Sequence, residues 1–381
     1  MRVLIVQPWI RAGGAELLSL QLAEALERAG DEASIAALYV DTHGLPVHAL
    51  GRHYVLPPAW LAARFARSRA LTYVLGPFVL LGLVLRAARR ADVVNAHNLP
   101  APPVAAIAGR VWGRPVVWTC NEVPERLPAA QATRLGRLET AAWWIGAALG
   151  KLTANVPREI LVLSEKTRQA VWRSYGRDAL VVHAGVDLAD FETEHRGSRA
   201  PFALLFVGKL HPQKDPLLGV RTLAALRDAG VEATLTMVGD GPERAAVESL
   251  VRELGLTRSV RIEPVLSLES LVERYRSCDA LLVTAGGHQS WGLTPFEALA
   301  AGTPSVLSPE IGAAELLGPA EAALIVPRNA TAFADAVRRL ASEADLAPRL
   351  VANGRRLIAE LTWERYADGC RAAYARALGT S

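Results

Sequence analysis

The sequence predicts an α/β protein with two domains, each built on a parallel β-sheet. Its 381 residues exceed what one hydrophobic core usually organises. Hydrophobic residues make up 51% of the chain and charged residues 21%, which supplies enough apolar side chains for two buried sheets. Short, continuously apolar runs alternate with helical patterns along the chain, and such runs are typical of parallel strands covered on both faces.

Five apolar runs predict the strands of a first domain, which we place at residues 1–188. The first strand is followed by Gly13 and Gly14 and then by a predicted helix from about Leu17 to Arg28. A turn and a helical pattern separate most of the later runs in the same way. The predicted strands are residues 3–6, 34–39, 93–96, 116–120 and 160–163.

A second domain is predicted at 189–362, after a polar stretch at 192–199 that is typical of an exposed linker. The last amphipathic pattern begins at Trp363, and we expect this C-terminal segment, 363–381, to return to the first domain. The predicted strands of the second domain are residues 202–207, 233–238, 260–262, 280–283, 305–307 and 323–326.

Composition argues against several other classes of protein. The net charge of +4 and the absence of a long basic stripe give no indication of nucleic-acid binding. The three cysteines stand far apart without CxxC spacing, so we expect neither a disulfide framework nor a zinc site, and a cytoplasmic location fits best. The most apolar stretch, 70–85, contains Gly76-Pro77 and is shorter than a membrane span.

Gly13-Gly14 lies between the first strand and the first helix. Glycines there allow backbone N–H groups to approach an anion, and a helix N-terminus attracts negative charge. The same pair is equally consistent with a simple tight turn. Neither the GxGxxG fingerprint nor the GxxxxGK[ST] phosphate loop is complete, which argues against NAD enzymes and P-loop ATPases.

Lys209 and Lys214 follow the first strand of the second domain, and Gly208 precedes them. Ligands of α/β sheets bind at such strand ends, and two fixed cations suit a diphosphate whose negative charge grows as a sugar leaves. A solvated loop is the alternative, because lysines are usually exposed. The glycines at 238–243 are more consistent with a turn than with direct ligand contact.

A glycine-rich segment at 286–304 is the most specific motif. We expect a helix to begin at about Thr294, where the N–H groups of Gly292, Leu293 and Thr294 can reach a phosphate. Glu297 lies one turn inside that helix, and its carboxylate can accept hydrogen bonds from ribose hydroxyls.

Taken together, these motifs resemble the GT4 family of retaining glycosyltransferases over nearly the whole chain. The resemblance implies the GT-B fold, with two Rossmann-like domains facing each other across a cleft, and transfer of a sugar from a nucleoside-diphosphate sugar to an acceptor hydroxyl. The motifs are GGAE at 13–16, NAHN at 95–98, HAGVD at 183–187, FVGKL and a later lysine at 206–214, VGDGPE at 238–243 and WGLTPFEALAAGTP at 291–304.

The resemblance also implies roles for single residues. Lys209 and Lys214 would bind the donor diphosphate, and Glu297 would bind the ribose. His97 would face the donor sugar. The alternative for His97 is a structural histidine at a strand end. The donor-binding residues implied are Gly13, Gly14, Gly208, Gln289, Gly292, Leu293, Thr294 and Val265.

Two positions depart from the family pattern. Lys209 stands where arginine is common in the family. A lysine keeps the positive charge but cannot make the paired hydrogen bonds of a guanidinium group. Gln289 replaces the first glutamate of the family's pair and cannot be an anion or an equally strong proton acceptor. Either the donor sugar differs, or the chain is a weakened or non-catalytic homologue that acts as a partner subunit. A nucleotide-sugar epimerase is a further alternative.

The sequence contains no Asp-x-Asp pair, the arrangement with which metal-dependent sugar transferases hold a diphosphate. We therefore expect catalysis without a metal and without a cofactor other than the nucleotide-sugar co-substrate. Apolar residues bordered by arginines at 57–90 also predict peripheral contact with an anionic membrane and a lipid-linked or cell-envelope acceptor. Helices packed on the sheet are an equal alternative.

Overall fold

The computed structural model describes residues 1–11, 13–42, 53–121, 123, 144–145, 148–186, 191, 200–286 and 291–380. The chain divides into two compact units, one formed by Met1–Gly185 with Trp363–Ser381 and the other by Val186–Thr362. Each unit contains a parallel sheet with helices, so the predicted α/β class is confirmed. The predicted linker at 192–199 lies outside the described residues.

The first unit contains a parallel sheet in the order β3-β2-β1-β4-β5-β6-β7. In register, Val6 at the end of β1 pairs with Ala36 on one side and with Ala96 on the other. Two short strands, β3 and β7, were not predicted. The strands are β1 (Arg2–Val6), β2 (Glu32–Ala36), β3 (Tyr54–Val55), β4 (Val93–Ala96), β5 (Val116–Thr119), β6 (Glu159–Val162) and β7 (Leu180–Val181).

Helices of the first unit pack apolar faces on this sheet. Leu80, Val84 and Ala88 of α4 are buried in one cluster with Leu4 and Val6 of β1. The helices are α1 (Gly14–Arg28), α2 (Ala59–Arg67), α3 (Arg69–Val74), α4 (Gly76–Ala88), α5 (Ala101–Trp112) and α6 (Glu165–Tyr175).

The second unit contains a parallel sheet in the order β10-β9-β8-β11-β12-β13. Its strands are β8 (Phe202–Val207), β9 (Ala233–Val238), β10 (Val260–Glu263), β11 (Ala280–Val283), β12 (Ser305–Leu307) and β13 (Leu324–Ile325). Its helices are α7 (Pro216–Asp228), α8 (Arg244–Glu253), α9 (Leu268–Ser277), α10 (Thr294–Ala300), α11 (Ala314–Leu317), α12 (Ala330–Ser342) and α13 (Leu346–Ile358).

The C-terminal helix α14 (Trp363–Leu378) belongs to the first unit. Tyr374 on this helix is fully buried, and its hydroxyl accepts a hydrogen bond from Asn95 Nδ2. Arg371 Nε lies 2.9 Å from a carboxylate oxygen of the buried Asp31. An apolar face and polar contacts such as these therefore hold α14 on the first sheet.

Both sheets share a topological feature that positions a ligand. The strand order reverses beside β1 in the first sheet and beside β8 in the second. Open α/β sheets bind ligands outside the carboxyl ends of their strands at such a switch point. Candidate sites therefore lie at the residues that follow β1 and β4 in the first sheet and those that follow β8 and β11 in the second.

Within the described ranges, no helix combines the length and the apolar character that crossing a bilayer requires. Cys120, Cys278 and Cys370 are buried, and none of them forms a disulfide.

Candidate donor-binding site

The two predicted diphosphate-binding lysines lie on one loop at the carboxyl end of β8. Gly208 follows the strand with φ of 155°, a conformation that favours glycine, and its N–H donates to Val238 O at the end of β9. Lys209 is exposed and Lys214 is half-buried. Both lysines follow β8, the strand beside which the order of the second sheet reverses.

Glycines of the neighbouring strand end support this lysine loop (Gly208–Lys214) by close backbone contact. A Cβ atom on Gly239 would lie 2.1 Å from Gly208 O, and Gly239 has φ of 140°. A Cβ atom on Gly241 would lie 2.4 Å from Leu210 O. The glycines of the VGDGPE motif are therefore needed so that one backbone can lie against another.

The other end of the lysine loop is held from β11. The buried Thr284 places its hydroxyl 2.9 Å from the carbonyl oxygens of both Lys214 and Asp215. Asp215 has φ of 46° and caps α7 by accepting from Leu218 N, while its second carboxylate oxygen accepts from Arg328 Nη1 at 2.6 Å. The Thr284 hydroxyl, the helix cap made by Asp215 and the ion pair between Asp215 and Arg328 together hold the backbone at Lys214 in place.

No sequence motif indicates Thr284 or Arg328 as part of the site. The aspartate before Pro216 is a recognisable helix cap, but its arginine partner lies 113 residues away. Arg328 also lies close to Gly286, where a Cβ atom would be 2.6 Å from the guanidinium. No motif spacing connects these positions.

Glu297 is held in a defined orientation inside α10. The hydroxyl of Tyr275, a fully buried residue of α9, donates to Glu297 Oε2 at 2.7 Å. Burial raises the pKa of the Glu297 carboxyl, and the hydrogen bond from Tyr275 acts in the opposite direction. A carboxylate has further acceptor positions, so the group can still receive ribose hydroxyls.

Tyr275→Phe is expected to move the acid limb of kcat/KM for the donor to higher pH. The variant removes the hydrogen bond that favours the carboxylate, so the pKa of Glu297, already raised by burial, rises further. As the pH falls, the carboxylate is then protonated at a higher pH and no longer accepts the ribose hydroxyls. The measurement is a pH profile of kcat/KM. Tyr366→Phe is the matched control, because Tyr366 is a fully buried tyrosine of the first unit, whereas Glu297 belongs to the second. An unmoved limb in Tyr275→Phe contradicts the assigned role.

The glycine-rich loop before α10 is described only in part. Gln289 and its neighbours at 287–290 lie outside the described residues. Gly292 has φ of 79°, the left-handed region that favours glycine, and α10 begins at Thr294 as predicted. Leu293 and Thr294 are half-buried, and Val265 is 73% exposed just past β10. These donor-binding candidates therefore follow strands of the second sheet at their carboxyl ends.

The start of α1 differs from the expectation in one respect. The helix begins at Gly14 rather than near Leu17, because Leu17 N already donates to Gly13 O. The carboxylate of Glu16 folds back, so that a Cβ atom on Gly13 would lie 2.5 Å from Glu16 Oε2. Arg11 Nε lies 3.6 Å from the other oxygen. Negative charge from the chain itself thus stands where phosphate was expected beside Gly13 and Gly14.

His97 follows β4 at the switch point of the first sheet and is fully buried. Burial lowers the pKa of His97 to about 3, so the imidazole is neutral. Its Nδ1 lies 3.2 Å from Ser19 Oγ, and its Nε2 has no partner among the described residues. By contrast, Asn95 of the same motif is structural, since it bonds Thr119 and Tyr374.

The structure thus groups the predicted residues by unit. Lys209, Lys214 and Glu297 lie in the second unit, and His97 lies in the first with Gly13 and Gly14. Among the described residues, no group of three or more His, Cys, Asp or Glu side chains is arranged to hold a metal ion.

Two family models match adjacent parts of the chain. The model described as Glycosyltransferase Family 4 matches residues 12–190, and the model described as Glycosyl transferases group 1 matches residues 190–357. A relative, the D-inositol 3-phosphate glycosyltransferase of Actinosynnema mirum, is 29% identical over 399 residues, covering 96% of this chain and 93% of that protein.

Solved structures also resemble the chain. HepE of Anabaena in complex with UDP and glucose aligns with a TM-score of 0.76 at 18% identity, covering 99% of this chain and 100% of that one. Sucrose-phosphate synthase of Thermosynechococcus elongatus aligns with a TM-score of 0.73 at 19% identity over 100% of both chains. At these identities the likeness establishes the fold.

Proposed function

Because the chain belongs to the GT4 family of GT-B glycosyltransferases, we propose that it moves a sugar from a nucleoside-diphosphate sugar to an acceptor hydroxyl with retention of anomeric configuration. The observation that carries this proposal is the lysine loop. Two cations lie at the carboxyl end of the central strand β8, and contacts from the end of β9 and from Thr284 after β11 fix the loop that bears them.

The proposed mechanism relies on charge and position. Lys209 and Lys214 balance the negative charge that grows on the diphosphate as the sugar departs. Glu297, oriented by Tyr275, binds the ribose and so fixes the nucleotide relative to the lysine loop. The acceptor hydroxyl attacks the face from which the diphosphate leaves, and a phosphate oxygen assists its deprotonation. No side chain has to form a covalent bond to the sugar.

Two relatives suggest substrates to test first. Solved structures of similar fold were obtained with UDP and with UDP-glucose. The Actinosynnema mirum relative is called a D-inositol 3-phosphate glycosyltransferase, which suggests a phosphorylated inositol as one acceptor. A lipid-linked or cell-envelope glycan is the other acceptor class that we propose.

A thermal-shift screen with UDP, GDP, ADP and dTDP tests the proposal first. Ligand at about 100-fold above Kd stabilises a protein by roughly 2.7 kcal/mol, so one nucleotide should raise the melting temperature clearly. Sugars of that nucleotide are then incubated with each acceptor class, and NMR of the product's anomeric proton reports retention. Absence of any shift favours a non-catalytic partner subunit, and an altered free sugar formed without acceptor favours an epimerase.

We further propose that transfer requires no metal ion. Turnover is expected to be unchanged by EDTA, because the lysines of the loop supply the positive charge that Mg²⁺ or Mn²⁺ supplies in Asp-x-Asp enzymes. Initial rates are compared in buffer, in excess EDTA, and in EDTA followed by excess Mg²⁺. Loss of activity in EDTA that Mg²⁺ restores contradicts metal independence.

The first unit carries an exposed apolar surface suited to a lipid acceptor. Trp60 is 63% exposed and Phe78 74%, and Arg64 lies over the Trp60 ring at 5.5 Å. The sequence between Asp41 and Asp92 contains seven arginines and no acidic residue. One face of α4 is nonetheless buried on the sheet, so this region packs some apolar side chains against the sheet and exposes others to solvent. We propose that it contacts an anionic membrane surface.

The chain is expected to co-sediment with phosphatidylglycerol vesicles at low salt and to bind phosphatidylcholine vesicles much less. Phe78→Ser should reduce binding, because it removes an exposed aromatic ring beside the arginines. Trp172→Ser is the matched control, since Trp172 is 60% exposed on α6 outside this region. Equal sedimentation with both kinds of vesicle contradicts a preference for an anionic surface, and no sedimentation with either contradicts membrane contact.

A further inference from the structure

An aspartate follows directly on the lysine loop, at the edge of the second sheet where the diphosphate is expected to bind. Asp215 is the next residue after Lys214 and caps α7, with one carboxylate oxygen accepting from Leu218 N at 3.3 Å. Its side chain is 22% exposed, so water screens the charge only in part. A carboxylate here opposes the binding of an anion, because like charges repel. An anion site at this loop therefore needs Asp215 to be compensated.

Arg328, which follows β13, supplies this compensation. Its Nη1 lies 2.6 Å from the second carboxylate oxygen of Asp215. The guanidinium is held against the backbone of Gly286, where a Cβ atom would lie 2.6 Å from its Cζ and Nη1 atoms. Glu310 Oε1, at 4.0 Å from Nε, lies at the outer limit of a second ion pair. Arg328 is thus confined beside Asp215, and a glycine at 286 leaves room for it.

The two neighbouring charges, Lys214 and Asp215, have different surroundings. A Cβ atom on Gly208 would lie 3.8 Å from Lys214 Cγ, so the lysine side chain lies beside the residue that follows β8. The Asp215 carboxylate is instead paired with Arg328. An asparagine would cap α7 as well as aspartate does and also adopts the left-handed conformation of residue 215, which has φ of 46°. Neither the cap nor the backbone requires a negative charge, whereas the ion pair does.

We propose that Arg328 is a positioning residue of the donor-binding loop, which acts by neutralising Asp215. The pair keeps the carboxylate from repelling a diphosphate and from competing with it for Lys214. The inference rests on the sugar-transfer function proposed above and concerns residues of the second unit alone. It differs from two other roles for Arg328, which are direct binding of the phosphate and a purely structural link between loops.

A double variant separates these roles. Arg328→Gln keeps a hydrogen-bond donor for Asp215 but removes the positive charge, and we expect the Kd for inorganic pyrophosphate and for UDP to rise about 10-fold at low salt. Adding Asp215→Asn should restore most of the affinity, because the carboxylate that Arg328 neutralised is gone. Adding Glu310→Gln instead is the matched control and should restore little, since Glu310 lies farther from the guanidinium. Equal affinities of the two double variants, both lost or both restored, overturn the inference.

Two single variants test the same charge balance without removing the contact at position 328. Asp215→Asn alone should bind pyrophosphate at least as tightly as the unmodified protein, because Arg328 then has lost its nearer carboxylate. Weaker binding by this variant overturns the inference even if Arg328→Gln does not fold. Arg328→Lys keeps the charge and should keep most of the affinity. The effect of Arg328→Gln should also shrink to about 3-fold in roughly 0.5 M salt, because salt screens partly exposed charges.

Pyrophosphate separates a failure of this inference from a failure of the proposed function. If the unmodified protein binds pyrophosphate but no nucleotide, the proposed donor is wrong, and the pyrophosphate affinities of the variants still decide the role of Arg328. If it binds UDP and Arg328→Gln binds UDP equally well, the proposed function stands and the inference is wrong. Binding of neither pyrophosphate nor any nucleotide overturns both.

Discussion

Lys214→Ala is expected to lower kcat/KM for the donor by about 100- to 1000-fold, the loss typical when one fixed group that stabilises developing charge is removed. The Thr284 hydroxyl bonds the carbonyl oxygens of Lys214 and of the next residue, Asp215, which in turn caps α7. The Lys214 ammonium group is therefore presented from a fixed backbone, and charge balance at the departing diphosphate depends on it. Both kcat and the affinity for the nucleotide should fall.

The control for this variant is Lys151→Ala, because Lys151 is an exposed lysine of the first unit far along the chain from the lysine loop. Lys214→Arg should recover only part of the activity, since guanidinium keeps the charge but differs in shape and reach. Steady-state kinetics and the UDP-induced thermal shift are measured for all three variants. Full activity in Lys214→Ala would show that the diphosphate binds elsewhere.

The strands of the second unit were largely predictable from sequence. Runs such as 202–207 and 280–283 have the bounds of β8 and β11, because a strand covered on both faces is apolar without interruption. The two-residue strands β3 and β7 were missed, since two residues carry no periodic pattern. Helix α1 begins before its predicted start because glycine and alanine continue its first turn.

The site was predictable only in part, and for a physical reason. Spacing along the chain indicated Lys214 and Glu297 as candidates, because each belongs to a compact strand–turn–helix motif. The residues that orient them, Tyr275 and Arg328, are 22 and 113 positions away from their partners. Such contacts depend on how the sheet brings helices together, which no single motif specifies.

Gly239→Ala is expected to lower the free energy of unfolding of the second unit by about 3 kcal/mol or more. Two effects add. A φ of 140° is a conformation that alanine rarely adopts, and the new Cβ would lie 2.1 Å from Gly208 O. Because that oxygen belongs to the first residue of the lysine loop, relieving the clash displaces Lys209, and the folded variant should also lose most of its UDP-induced stabilisation.

Gly230→Ala separates backbone strain from this close approach. Gly230 has φ of 76° in the same unit, but a Cβ atom there would have no heavy atom within 4 Å. Only the left-handed conformation opposes alanine at this position, at a cost of about 1 to 2 kcal/mol, and nucleotide binding should be retained. Urea unfolding curves and UDP-induced thermal shifts are compared for the two variants. If Gly239→Ala unfolds at the same midpoint as Gly230→Ala and still binds UDP, the contact between Gly239 and Gly208 does not shape the donor loop.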